Sequence, residues 1–207
     1  MQSKSLIRWC GLALLVGGVL YAINGLFHLD NNNPQSVFSP LWLPLQLVIT
    51  TFYALSVLGL IGLHLRQKDK AGRLGLIGIV LAVIGSAVTF ITSLGFAFAI
   101  PAVAAQQAEP QPPVELIGSS GPLAWIGVLV LVFIFAFVPG YILTGIATAR
   151  AGVLPRWAGI LLSLGMIVLF VGEAAPSVVF LRNVGGVVTG VGLAWLGYAL
   201  WSEKSAG

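Results

Sequence analysis

Five polar side chains, Asn24, His28, Gln46, Glu173 and Arg182, interrupt apolar runs of a sequence that is 58% hydrophobic and only 8% charged. A charge or amide at membrane depth is costly unless it faces the interior of a bundle or water, so each is a candidate site residue. Together they could hold a small polar or amphipathic molecule. His28 and Glu173 could also act as acid-base partners. Each has a structural reading beside the chemical one. Glu173 and Arg182 flank the short turn at Pro176, where they either pair and pin two helices together or face a ligand. Asn24 and Gln46 suit hydrogen bonds to neighbouring helices, and His28 with Asp30 forms either a helix-end cluster or a proton or metal site.

Signatures of other chemistry are absent from the sequence. There is no nucleophile elbow, phosphate-binding glycine loop, Cys-x-x-Cys or His-Glu-x-x-His. The reading is therefore of a chain with no catalytic residue, no metal site and no cofactor. His64 stands at the other end of its run from His28's side of the membrane, beside Arg66, so the two histidines cannot share one haem. The single cysteine, Cys10, excludes an internal disulfide.

The elements that must position these groups follow from hydropathy. Mean hydropathy is +1.02, and soluble domains carry about 25% charged residues. A helix needs about 20 apolar residues to cross a hydrocarbon core of ~30 Å. Runs at about 9–27, 41–65, 74–100, 123–149, 157–175 and 184–201 meet that length. They lack the alternation of barrel strands, and backbone without water must satisfy itself, so they are helices. The expected fold is an all-α integral membrane six-helix bundle forming a single transmembrane domain, 1–207.

Orientation comes from the basic residues. Lys4, Arg8, Arg66, Lys68, Lys70, Arg73, Arg150, Arg156 and Lys204 fall on one side of this arrangement, and only Arg182 on the other. The positive-inside rule makes that side cytoplasmic, so both termini are cytoplasmic and Arg66–Arg73 (RQKDKAGR) is an inner turn. Ten basic residues so dispersed form no stripe for nucleic acid. Trp9, Trp157 and Trp201 mark inner interfaces and Trp42 and Trp125 outer ones, with Trp195 the exception. The apolar run after Arg8 is longer than a signal peptide's and is read as retained.

Small residues give the helices faces for close approach. The clearest stripe is Gly186, Gly190 and Ala194, which suits either packing within the bundle or a homo-oligomer. Pro139 predicts a kink. Ala71-Gly-Arg-Leu and Ala151-Gly-Val-Leu open two equivalent runs, a trace of duplication. The segment 101–121 is an extracytoplasmic loop whose Ala-Gln-Gln-Ala-Glu-Pro-Gln-Pro-Pro tract favours extended backbone, lying over the outer mouth.

Gly-Leu-His-Leu-Arg-Gln (62–67), Ala-Gly-Arg-Leu-Gly (71–75), Arg-Ala-Gly-Val-Leu-Pro-Arg-Trp-Ala-Gly (150–159) and Gly-Leu-Ala-Trp-Leu-Gly-Tyr-Ala-Leu-Trp (192–201) resemble a group of uncharacterised small polytopic bacterial integral membrane proteins. The resemblance covers most of the chain and extends to His28 and to the Ser-Pro-x-Trp-x-Pro segment at Ser39–Pro44. It implies a bacterial inner (cytoplasmic) membrane and multi-pass topology, and no particular reaction. In that group a second histidine stands where this chain has Gln46, which implies that a two-histidine metal or pigment site is broken here.

Three functions are consistent with these residues. The first is a non-catalytic bundle or subunit of a membrane complex, partnered by the lipid bilayer and other proteins. The second is an outward-facing binding or transport protein for a small polar or amphipathic molecule. The third is a lipid- or quinone-modifying enzyme.

Overall fold

The computed structural model describes residues 2–175, 178 and 180–202; Lys204 and Pro176 lie outside them. Eight α-helices make up nearly all of it, with no strand among the described residues. They are α1 (Gln2–Phe27), α2 (Trp42–Leu94), α3 (Ile100–Ala104), α4 (Pro113–Leu116), α5 (Ala124–Val132), α6 (Val138–Ala151), α7 (Arg156–Ala174) and α8 (Phe180–Ser202). Five continuous helical stretches are long and apolar enough to cross a membrane. One of them, Trp42–Ala104, has 63 residues, about three times the length a single crossing needs.

That stretch is a hairpin. Its backbone leaves helical geometry at Gly72 (φ 60°, ψ −161°). Beyond this point the chain returns alongside itself: Trp42 Nε1 donates to the Phe96 carbonyl at 3.0 Å, and Thr50 Oγ1 to Ser93 Oγ at 2.8 Å. The expected turn of eight residues is thus a single glycine with helix on either side. RQKDKA stays helical because basic side chains at a helix end reach water without requiring a loop. Gly72 lies in a region of backbone space that is essentially glycine-only, and a methyl group there would meet nothing within 4 Å. Gly72→Ala therefore tests conformation alone. We expect a loss of roughly 1–3 kcal/mol, measured by thermal melting in detergent. No change in melting would mean that the turn is made elsewhere.

Gly152 (φ 63°) is the other positive-φ position among the described residues and separates α6 from α7. The paired Ala-Gly stretches seen in the sequence thus both supply turn glycines.

Seams between neighbours are closed by glycine. A methyl group at Gly190 of α8 would stand 2.5 Å from the Ala22 nitrogen and the Gly18 carbonyl oxygen of α1, and Gly186 abuts Gly25. The Gly186, Gly190, Ala194 stripe is therefore covered by α1 of the same chain. Gly59 and Gly62 receive Leu14 and Cys10 of α1, Gly78 meets Thr144 of α6, and Gly192 meets Leu162 of α7. Without a hydrophobic drive between helices in lipid, such backbone proximity is what makes dispersion contacts dense. The segments form a closed ring in chain order, with α8 returning to α1.

Two π-helical turns, Gly95–Ala99 and Phe133–Phe137, interrupt the ring members. Each ends just before a proline, Pro101 or Pro139. Proline lacks the N–H for the i−4 carbonyl and clashes with it, and a widened turn relieves both. Before Pro139, where a kink is expected, the helix carries this widened turn.

Inside the ring, Phe52, Phe137 and Tyr141 are fully buried. Ring centroids lie 4.4 Å apart for Tyr21–Phe52, 5.6 Å for Tyr53–Phe137 and 4.5 Å for Phe137–Tyr141. This ladder plugs the middle of the bundle.

The 101–121 segment is less extended than its composition suggested. It contains two short helices (α3, α4), and Leu116 and Ala104 are buried with Val37, Trp42, Leu123 and Ile126 in a second apolar cluster. Trp42, expected at an interface, is a 2%-exposed anchor of that cluster. Trp9, Trp125, Trp157, Trp195 and Trp201 are exposed on the outer surface.

Candidate functional site

At the end of the ring opposite Gly72 and Gly152, the aromatic ladder stops short and leaves a cavity of about 470 Å³. Asn24, His28, Gln46, Glu173 and Arg182 all line it. They come from four elements. Asn24 stands in the last turn of α1 and His28 just beyond it, Gln46 in the second turn of α2, Glu173 at the end of α7 and Arg182 at the start of α8.

Glu173 and Arg182 pair directly, Oε1 to Nε at 2.5 Å. A methyl group at Gly172 would run into the Arg182 backbone, so this glycine brings α8 close enough for the contact. Arg182 is the more enclosed partner, its side chain 14% exposed against 35% for Glu173. The paired side chains also line the cavity.

Asn24 Nδ2 reaches toward the Leu45 carbonyl at 3.5 Å, tying α1 to α2. Its Oδ1 lies 3.4 Å from His28 Nδ1. An amide oxygen only accepts, so Nδ1 carries the proton and Nε2 carries the lone pair. Burial, with the Arg182 charge second, holds His28 well below the usual imidazole range, so the ring is neutral. Its Nε2 is buried without a partner, as is Asn31 Oδ1 in the same wall. Asp30 turns away to Asn32, whose backbone N donates to its Oδ1 at 2.9 Å, so His28 and Asp30 are not joined by a hydrogen bond. Among the described residues no three His, Cys, Asp or Glu side chains gather as a metal site would require.

The rest of the wall could not be singled out from the sequence. Tyr21, Ile49 and Tyr53 make an apolar floor, Thr89, Thr92 and Ser93 one side, and Val114 and Ile117 a cover from the 101–121 segment. The cover is tied down where Val114 N donates to the Asn31 carbonyl at 3.3 Å. In sequence these aromatics and hydroxyl residues look like packing residues. The hydroxyls are mostly satisfied by their own helix, Thr89 Oγ1 donating to the Gly85 carbonyl at 2.6 Å.

No known family model, curated protein or solved structure matches the chain.

Proposed function

We propose that this protein is a six-span inner-membrane bundle that binds a small amphipathic molecule in an outward-facing cavity. The observation that carries this reading is the convergence of Asn24, His28, Gln46, Glu173 and Arg182 on one cavity with an apolar floor. Ligand sites are typically concave, mainly apolar and furnished with a few convergent polar groups, in volumes of about 300–1,000 Å³. A bundle serving only as scaffold in a larger complex has no need to leave such a space unpacked. The aromatic ladder beneath favours binding over an open conduit, and transport would require that ladder to move.

Two measurements test this. Purified in mild detergent, the protein should bind the amphipathic fluorophore N-phenyl-1-naphthylamine saturably and about 1:1. Gln46→Trp, which fills the cavity, should weaken binding at least ~10-fold. Leu47→Trp, on the exposed face of the same helix, should not. Equal binding by both variants would defeat the proposal.

Orientation rests on the basic residues clustered at the Gly72 and Gly152 end. In a Cys10→Ala background, a membrane-impermeant maleimide should label Glu109→Cys from outside intact cells and leave Lys68→Cys unlabelled until permeabilisation. The reverse pattern would turn the cavity toward the cytoplasm.

A further inference from the structure

Around the ring, one seam differs from the rest. Along the outer half of α1 and α8, Gly18, Gly25, Gly186 and Gly190 bring backbones into contact. The two limbs of α2 are tied at both Thr50–Ser93 and Trp42–Phe96. Between the fourth and fifth membrane segments, the close contacts lie toward the Gly152 end. There Gly145 meets Gly159, and Ser163 Oγ donates to the Ile142 carbonyl at 2.9 Å. Toward the cavity the two segments take different neighbours. Phe137 and Ile126 pack on Gly85 and Gly95 of the α2 hairpin, whereas Leu169 and Gly172 pack on Gly185 and Arg182 of α8. Val130 and Ile134 on one side and Phe170 on the other line the cavity, and Phe170 is 36% exposed. At this seam the cavity wall is made of the apolar side chains of Val130, Ile134 and Phe170, at the depth of the π-helical turn.

The polar wall restricts what enters. Glu173 and Arg182 cancel each other's charge, so an ionic head gains no free counter-charge there. Among the residues of this wall, His28 Nε2 and Asn31 Oδ1 are buried without partners, and both are acceptors. A buried acceptor left unsatisfied costs its desolvation, and a ligand that donates to it recovers that cost.

We propose that the cavity takes an uncharged, hydroxyl-headed lipid-soluble molecule, such as a monoacylglycerol or long-chain diol, which enters from the outer leaflet between the 130–134 stretch and α7. The hydroxyls donate to His28 Nε2 and Asn31 Oδ1, and the chain lies between Ile134 and Phe170. This rests on the binding reading above and adds the ligand's chemistry and its route.

The test uses the full chain in phosphatidylcholine vesicles with a photoactivatable monoacylglycerol bearing a diazirine in its acyl chain. Label is expected within the 130–134 and 169–170 stretches. The dimethyl ether of the same probe, unable to donate, should label these stretches roughly 10-fold less. Ile134→Trp should cut labelling at least ~5-fold, whereas Ile146→Trp, on an exposed face of α6, should not; both variants are first shown to melt like the parent. If the ether labels equally, hydroxyl recognition is wrong. If Ile134→Trp leaves labelling of the cavity unchanged, lateral entry is wrong and the binding reading survives. If N-phenyl-1-naphthylamine binds as predicted but the monoacylglycerol labels no cavity residue, this inference alone falls. If neither probe finds the cavity, the binding reading falls with it.

Discussion

Gly190→Leu is expected to abolish the folded protein, with no monodisperse species surviving detergent extraction. The reason is geometric. Position 190 faces the α1 backbone, and even a Cβ there would stand 2.5 Å from Ala22 N and Gly18 O. Backbone on both sides cannot step aside as a side-chain tip does, so the helices must separate along their whole small-residue face. Overpacking ordinarily costs about 1–3 kcal/mol. A clash with backbone over a full seam belongs in the tail above ~4 kcal/mol. The neighbouring Val191→Leu, whose parent side chain is 46% exposed, should melt like the parent. If Gly190→Leu also melted normally, α1 could not be seated on α8 as described.

The second large effect is expected at the ion pair. Glu173→Ala leaves the enclosed Arg182 guanidinium without its carboxylate. Breaking a buried pair on one side costs about 3–5 kcal/mol, and because Glu173 is one-third exposed we expect about 1–3 here. The loss should appear as a lower melting temperature in detergent. Exchange of the two residues, Glu173→Arg with Arg182→Glu, should recover more than half of it. Additive losses in the exchanged variant would show that the two positions do not stabilise each other, and the junction of α7 and α8 would need another explanation.

Much of this architecture was legible because lipid leaves a chain few options. Long apolar runs had to be helices, and polar residues near one end of several runs had to find each other or water. Asn24, His28, Gln46, Glu173 and Arg182 stand out for that reason, and the structure brings them to one cavity. Other features were hidden by the same physics. RQKDKA looks like a loop because it is charged, yet a helix that has left the membrane carries charge freely. Only Gly72 in that stretch has a backbone the helix cannot accept. Trp42 looks interfacial because most tryptophans at helix ends are, but its N–H found the Phe96 carbonyl and its ring a buried cluster. The 101–121 segment is proline-rich, and proline also starts helices well; Pro113 opens α4 and Pro101 stands in the first turn of α3. Tyr21, Tyr53 and Phe133 could not be recognised as cavity walls. An aromatic residue facing a void and one facing another aromatic have the same local sequence signature.

The seating of α8 against α1 also sets an order of events. These two helices are far apart in the chain, and contacts of such sequence separation form late because the intervening chain must first be arranged. Synthesis proceeds from α1, so the glycine-lined face of that helix enters the bilayer long before its mate exists. During that interval α1 rests on α2, through Leu14 and Cys10 against Gly59 and Gly62, Tyr21 against Phe52 and Asn24 against the Leu45 carbonyl. A chain cut short before residue 180 would therefore be an open ring that lacks both the α7–α8 and the α8–α1 seam. That species is the one that membrane proteases and chaperones would meet, and the rate at which α8 arrives decides how often they do.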